Sequence, residues 1–70
     1  MNMQPGVFKH FKGGRYRVIL SAMDSETQAP MTVYVSLTNG SVWVRPTEMF
    51  TEAVQWPDGA WRSRFVPETE

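Results

Sequence analysis

The chain has 70 residues, of which 41% are hydrophobic and 20% charged, a composition typical of a small globular domain rather than a disordered segment. Seven Lys and Arg side chains balance seven Asp and Glu side chains, which disfavours a protein that binds nucleic acid chiefly by neutralising many phosphates. Cysteine is absent, so neither disulfides nor a thiolate zinc site can stabilise the fold.

Length and patterning also set expectations about domains and localisation. No apolar stretch approaches the roughly 20 residues of a membrane-spanning helix, and the first residues lack the pattern of a signal peptide. We therefore expect a cytoplasmic protein with no membrane partner. We also expect a single small β domain over residues 1–70, with residues 1–5 and 67–70 as tails.

The first predicted element is a β-hairpin. Residues 6–12 alternate weakly and end at Gly13-Gly14, a pair that accepts the positive φ angles of a two-residue turn. This turn would place His10 opposite Arg17. The second strand is predicted over residues 15–23, and one of its faces would comprise Tyr16, Val18, Leu20 and Ala22.

A second hairpin follows a polar loop. Residues 24–30 are mostly polar and end in proline, which predicts the loop. Strands are predicted over residues 31–38 and 41–45, joined by Asn39-Gly40, the strongest short signal for a two-residue hairpin turn. In the register set by that turn, Tyr34 faces Arg45 and Ser36 faces Trp43.

This register separates the second hairpin into two faces. The face expected to cover the core comprises Val35, Leu37, Val42 and Val44. The opposite face contains Tyr34, Trp43 and Arg45, residue types that dominate binding hot spots, so these three are candidate binding residues. An alternative stays open, in which they pack beneath the turn at 46–50 or the loop at 24–30.

The last third of the chain predicts short elements. Proline at position 46 ahead of helix-forming residues predicts one helical turn over residues 46–50. Strands are predicted over 51–56 and 62–66, and the turn between them would make Trp56 and Trp61 face each other.

Together these elements predict an all-β fold of five to six short antiparallel strands, either a small SH3-like barrel or a highly curved sheet. The large side chains expected to fill its core are Phe8, Phe11, Tyr16, Met49, Phe50 and Phe65.

Blocks spread along nearly the whole chain resemble a known family. The blocks are residues 6–13, 16–18, 25–27, 33–34 and 43–50. In this order they are similar to a bacterial and phage family, the domain-of-unknown-function family 1653. That family has no established activity, so the resemblance implies no mechanism. Where its pattern commonly reads His-Ser-Glu-Thr, this chain begins the same motif with Asp24.

The residue content favours binding over catalysis, and we predict that the protein is not an enzyme. The single histidine, His10, belongs to no nucleophile motif, and a neighbouring cation would lower its pKa. We expect His10 to be partly buried and hydrogen-bonded to backbone near the first turn. Asp24 and Glu26 have no motif spacing that would join them to His10 around a metal, so no metal or cofactor is predicted.

Two functions from different classes remain. The first is a noncatalytic module that binds another protein, or a second copy of itself, through the face containing Tyr34, Trp43 and Arg45 or through the tryptophan hairpin. The second is a receptor for a small anionic or nucleotide-like ligand, such as a phage-type inhibitor or sequestering protein. The residues that could hold the anionic group are His10, Lys12, Arg17 and Arg45. Nucleic-acid binding ranks third because the net charge is zero.

Overall fold

A computed structural model describes residues 6–68 of the chain. The elements are β1 (Gly6–His10), β2 (Arg15–Met23), β3 (Pro30–Ser36), β4 (Val42–Pro46), α1 (Thr47–Phe50), β5 (Ala53–Gln55), β6 (Trp61–Ser63) and β7 (Phe65–Pro67). Five strands form an antiparallel sheet in the order β4-β3-β2-β1-β7, and β5 pairs with β6 in a separate ribbon. The predicted all-β fold with one short helical turn is confirmed, in its open curved-sheet form rather than as a closed barrel.

The C-terminal end is more ordered than the predicted tail at 67–70. Pro67 ends β7, and the Glu68 N–H donates to the Val7 carbonyl. The Glu68 carboxylate also forms an ion pair with Arg15. The rest of the predicted tails, residues 1–5 and 69–70, lies outside the described residues.

The core is small and largely aromatic. Its buried hydrophobic side chains are Phe8, Val18, Tyr34, Phe50 and Phe65. The rings of Phe50 and Phe65 stack at a centroid distance of 3.9 Å, and Tyr34 contacts both rings edge-on. Because α1 continues directly from the end of β4, it delivers Phe50 into the middle of this cluster.

Two predicted core residues lie elsewhere. Phe11 is only partly buried, and Met49 is 41% exposed, so the prediction of Met49 in the core is wrong. The helix has four residues, and it buries Phe50 alone. Residues on other sides of a single turn point away from the face that packs on the sheet.

The β3–β4 hairpin has a different register from the predicted one. The observed pairs are Thr32–Arg45, Tyr34–Trp43 and Val35–Val42. The connection spans four residues, because the Ser36 N–H donates to the Ser41 carbonyl at 2.8 Å and the Gly40 N–H donates to the Ser36 carbonyl at 2.9 Å. Asn39 accepts the Ser41 N–H at 3.0 Å, so Asn39-Gly40 ends the loop instead of forming its centre.

The new register keeps the two predicted faces but reverses which one is buried. Tyr34 is 4% exposed, whereas Val42 and Val44 on the opposite face are 63% and 57% exposed. The prediction that the valine face covers the core is therefore wrong. Phe50 and Phe65 lie on the Tyr34 side, and a domain of this size has enough apolar side chains to cover only one face of its sheet.

Polar side chains on the buried face have hydrogen-bond partners. The hydroxyl groups of Thr32 and Thr47 lie 2.9 Å apart, which ties β3 to the start of α1. The Ser36 hydroxyl oxygen accepts the Thr38 N–H at 3.2 Å. Because these groups are satisfied, Thr and Ser can occupy core positions that the sequence pattern assigns to solvent.

The β1–β2 hairpin also turns earlier than predicted. The His10 N–H donates to the Gly14 carbonyl and the Gly13 N–H donates to the His10 carbonyl, both at 2.8 Å. This closes a three-residue loop over 11–13, in which Gly13 has a φ of +107°. The prediction that His10 faces Arg17 is wrong, since Arg17 pairs with Val7.

An irregularity in β2 interrupts the predicted alternation. Val18 pairs with Tyr34, but Leu20 pairs with Val33, so one extra residue is inserted at Ile19. Such a bulge turns the following side chains to the other face of the sheet. Leu20 is exposed for this reason, although the sequence pattern places it beside Val18.

The predicted Trp56–Trp61 pair does not form. The Trp56 N–H donates to the Ala60 carbonyl at 2.8 Å, and Trp61 pairs with Gln55 instead. Adjacent pairs in a ladder point to opposite faces, so the two indole rings are separated. The predicted strand at 62–66 is divided at Arg64, whose N–H donates to the Glu52 carbonyl at 2.7 Å.

Candidate functional site

An open cleft of about 200 Å³ lies on the core-facing side of the main sheet, beside β4. Five strands contribute its lining side chains, which are His10, Tyr16, Tyr34, Trp43, Arg45 and Phe65. Tyr34 and Phe65 are buried and form the floor, while Trp43 is 54% exposed. The cleft brings together the predicted binding residues Tyr34, Trp43 and Arg45 with His10.

Arg45 is held in this cleft by neutral groups. Its Nε–H donates to the Tyr34 hydroxyl at 3.3 Å, and its guanidinium carbon lies 6.0 Å from the centroid of the Phe65 ring. Arg45 takes no part in the three ion pairs formed within residues 6–68. Its positive charge is thus available to a ligand, unlike those of arginines already paired with carboxylates.

Trp43 forms one wall, and the end of the hairpin loop positions it. The indole N–H donates to the Ser41 hydroxyl at 2.7 Å, and that hydroxyl donates to the Asn39 side-chain oxygen at 2.7 Å. The ring lies directly across the ladder from Tyr34, on the same face of the sheet. Trp43 is exposed because β4 is the outermost strand.

His10 closes the cleft at the β1 end. Its ring centroid lies 4.7 Å from that of Phe65 and 6.1 Å from that of Tyr16. The Nδ1 atom accepts the Lys12 backbone N–H at 3.1 Å, which confirms the predicted backbone hydrogen bond. With Nδ1 as acceptor, we assign the proton of the neutral ring to Nε2.

The pKa of His10 reports the electrostatic environment of the cleft. Partial burial lowers this pKa, and the positive charges of Arg45, Arg64 and Lys12 lower it further. The predicted effect of a neighbouring cation is therefore confirmed, but its sources differ from the predicted Arg17. A histidine of depressed pKa is mostly neutral near pH 7, so it can accept or donate a hydrogen bond without adding charge.

The lining of the cleft limits its chemistry. Its residues include no carboxylate and no Ser or Thr hydroxyl. An anionic group could contact Arg45, and a flat ring could stack on Trp43.

Two predicted binding residues lie outside the cleft. Lys12 borders a separate depression of about 320 Å³ between the 11–13 and 57–59 loops, where its ammonium nitrogen lies 5.7 Å from the Phe11 ring centroid. Arg17 is exposed and pairs with Val7 and Val35 in the ladder. In β2 it alternates with Tyr16, so its side chain points to the face opposite the cleft.

Two residues of the cleft were not predicted as binding residues. Tyr16 and Phe65 were expected only in the core, and both contribute to the cleft floor as well as to the aromatic cluster. Phe65 reaches His10 because β7 pairs with β1. No local pattern in the sequence signals this pairing between the two ends of the chain.

Asp24 has a structural role in the 24–30 loop. The Asp24 carboxylate accepts the backbone N–H groups of Glu26 and Thr27 at 2.8 and 3.1 Å, and these bonds lower its pKa. Within residues 6–68 no cluster of three or more acidic or histidine side chains could hold a metal ion. Over the same residues, no helix has the length and apolar character that a membrane crossing requires.

Comparison with known proteins identifies the family. The model of a family described as protein of unknown function, DUF1653, matches residues 6–67. The chain belongs to the DUF1653 family. This confirms the resemblance found in the sequence, and every residue of the cleft lies within the matched range.

The fold of this DUF1653 chain is similar to a solved structure. The crystal structure of a DUF1653 protein from Bordetella bronchiseptica matches it with a TM-score of 0.84 and 27% sequence identity. The match covers 97% of this chain and 90% of that one. No curated protein matches the chain.

Proposed function

We propose that this DUF1653 domain is a noncatalytic binding module whose cleft receives an anionic group attached to a flat ring, as in a nucleotide-like small ligand. The observation that supports this most is the position of Arg45. Its guanidinium is held by the Tyr34 hydroxyl and the Phe65 ring, with no carboxylate in the cleft lining. A partly desolvated arginine of this kind gains more from an anion than one that is already paired.

The electrostatics and the shape of the cleft support the same class of ligand. The positive charges that lower the pKa of His10 create a potential that attracts anions. Trp43 offers a partly exposed ring held by its indole hydrogen bond. The cleft volume of about 200 Å³ is small, so it takes one anionic group and part of a ring rather than a whole drug-sized molecule.

The absence of catalysis is part of the proposal. Nucleophilic catalysis needs a nucleophile and a base within hydrogen-bond distance of each other. The cleft lining has no serine, threonine or carboxylate, and His10 Nδ1 is occupied by the Lys12 N–H. The Tyr34 hydroxyl accepts a hydrogen bond from Arg45, which suits positioning rather than proton transfer.

The proposal is tested by NMR titration of the isotope-labelled protein with adenosine and uridine monophosphates, the matching uncharged nucleosides, and inorganic phosphate. The monophosphates should shift the Trp43 indole and His10 ring resonances, and the uncharged nucleosides should not. Arg45→Gln should weaken monophosphate binding by about tenfold or more, because a charge-assisted hydrogen bond is lost. Arg17→Gln, on the opposite face, is the control and should leave binding unchanged. Equal binding by the Arg45→Gln variant would contradict the proposal.

A second candidate, protein binding through the exposed residues of β4, has its own supporting observation. Trp43, Val42 and Val44 are all exposed on the outermost strand of the sheet. Exposed tryptophan beside apolar residues is characteristic of protein interfaces.

A further inference from the structure

β4 is one of the two edges of the main sheet, and β7 is the other. Strand β4 is outermost in the order β4-β3-β2-β1-β7, and the side chains of Val42, Trp43 and Val44 are all more than half exposed. An edge strand presents backbone N–H and C=O groups that no neighbouring strand satisfies.

Two hydrogen bonds at the end of β3 identify which groups of β4 point outward. The Ser36 N–H donates to the Ser41 carbonyl, towards β4, while the Leu37 N–H donates to the Arg15 carbonyl, towards β2. Backbone groups alternate in direction along a strand, so the Tyr34–Trp43 pair is also hydrogen-bonded. The N–H and C=O groups of Val42 and Val44 therefore point away from the sheet.

The Val42–Val44 part of β4 lacks the features that prevent edge pairing, whereas Arg45 and Pro46 protect the other end of the strand. Natural edges are commonly protected by lysine, proline, a bulge or inward-pointing charge. Val42 and Val44 are uncharged, and the β3–β4 pairing runs from Met31–Pro46 to Val35–Val42 without a bulge. The chain has a net charge of zero, so two copies do not repel each other through overall charge.

We propose that a second copy of this chain pairs with β4, edge to edge and antiparallel, about a two-fold axis that passes between the two Trp43 residues. In this arrangement Val42 of each copy faces Val44 of the other. Every outward N–H and C=O group of these valines then has a partner, because both residues have the same orientation in the strand. The two five-stranded sheets become one continuous sheet.

Pro46 disfavours the register that is shifted towards the end of β4. If the axis passed through Val44 instead, Val42 would face Pro46 of the second copy. Proline has no N–H, so the Val42 carbonyl would lose its partner. The Trp43-centred register avoids this loss. The Trp43-centred register also separates the two Arg45 residues by four positions along the strands, or about 14 Å. This distance exceeds the screening length of about 8 Å at physiological salt, so the two arginines repel each other only weakly.

The pairing has a consequence for the cleft. Trp43 lies on the core-facing side of the sheet, so its ring would lie beside Trp43 of the second copy. The two clefts would then open side by side across the axis. The dimer does not depend on the proposed ligand, since it is built from backbone groups and valines on the opposite face.

The test is sedimentation equilibrium of the full chain over a range of concentrations. Wild type should form a species of twice the 8.0 kDa chain mass. Val42→Lys/Val44→Lys places like charges opposite each other and should raise the dimer dissociation constant by about tenfold or more. Val42→Glu/Val44→Lys places opposite charges together in the Trp43-centred register and should retain the dimer.

A matched control carries the same added charge on an inner strand. Leu20→Lys/Ala22→Lys changes two exposed residues of β2 on the same outer face and should leave the dimer intact. Circular dichroism checks that each variant is folded, which is expected because all four positions are exposed.

Three results would overturn the inference: a wild-type protein that remains monomeric at millimolar concentration, a Lys/Lys variant that still dimerises, or a Glu/Lys variant as monomeric as the Lys/Lys variant. A wild-type protein that stays monomeric but binds an extended peptide of another protein along β4 would also overturn the inference. The ligand proposal is tested separately, because Arg45→Gln should weaken anion binding and leave the sedimentation unchanged.

Discussion

The Arg45 Nε–H donates to the buried Tyr34 hydroxyl across 3.3 Å, and this bond joins the edge strand to the floor of the cleft. Tyr34 of β3 pairs with Trp43 of β4, and Trp43 precedes Arg45 by two residues in β4. The buried Tyr34 thus lies beside Trp43 and holds Arg45 by a hydrogen bond.

This bond gives the first prediction. Tyr34→Phe keeps the buried ring but removes the hydroxyl, so Arg45 loses the group that orients it. We expect anion binding to weaken about threefold to tenfold, with a loss of about 1 kcal/mol or less in the free energy of unfolding. Calorimetric titration and urea unfolding measure the two effects. Arg17→Gln, on the face of the sheet opposite the cleft, is the control and should bind like wild type. Unchanged binding by Tyr34→Phe would show that Arg45 needs no positioning by this bond.

The second prediction concerns the pH dependence of stability. The folded protein holds the pKa of His10 below its usual value of about 6.5, through burial first and nearby cations second. Between the folded and the unfolded pKa, the unfolded state binds more protons, so stability falls as pH drops from about 6.5 through the folded pKa. The contribution is fully present above pH 6.5.

NMR titration of the His10 ring measures this pKa directly. Its midpoint should lie below that of a histidine in an unfolded peptide. Arg45→Gln removes one of the cations that lower it and should raise the midpoint. A bound monophosphate should raise it as well, because an anion favours the protonated ring. A midpoint at or above the peptide value would refute the account of the cleft as a positively charged environment.

The third prediction concerns the core. Phe50 is fully buried and stacks on Phe65 at 3.9 Å. Phe50→Ala should cost about 3–5 kcal/mol, a large share of the stability of so small a domain. Met49→Ala, at the adjacent exposed position, should change the free energy of unfolding by about 0.5 kcal/mol or less. Urea denaturation of the two variants makes the comparison. Similar losses in both would mean that Phe50 does not hold α1 on the sheet.

The fourth prediction concerns the β3–β4 loop. Gly40 has a φ of +76°, and a Cβ atom placed there would meet no other atom within 4 Å. Any loss of stability on substitution is therefore conformational. Gly40→Ala should cost about 1 kcal/mol, and Gly40→Asn should cost less, because asparagine adopts left-handed backbone angles more readily. Thermal unfolding should rank the three proteins in the order wild type, Gly40→Asn, Gly40→Ala. Equal stability of the alanine variant would contradict the assigned loop geometry.

Much of the local structure was accessible from the sequence. The strand at Arg15–Met23 and the helical turn after Pro46 follow from alternation and from the residue types at the turns. The prediction that Tyr34, Trp43 and Arg45 share one face was also correct, despite the error in register. Side chains alternate with a period of two, so a shift of two residues leaves the members of each face unchanged.

The hairpin registers were harder to predict from the sequence, because a loop is closed by specific hydrogen bonds and not by its glycine alone. The Gly40 N–H donates to the Ser36 carbonyl and closes a four-residue loop in the second hairpin, and the His10–Gly14 bond closes the first hairpin before its second glycine. Each adds residues to a turn that the dipeptide signal predicts to be shorter.

Composition, alternation and turn residues were enough to specify a small antiparallel domain and the aromatic and basic side chains available for binding, because these depend on neighbours close in the chain. Which face is buried, and that Phe65 meets His10 to complete a cleft, depended on long-range packing. The stacking of Phe50 on Phe65 places the core on the Tyr34 side, and the pairing of β1 with β7 joins opposite ends of the chain. Contacts between residues so far apart in the chain form because they bury the whole aromatic cluster, and no short stretch of the sequence contains that cluster.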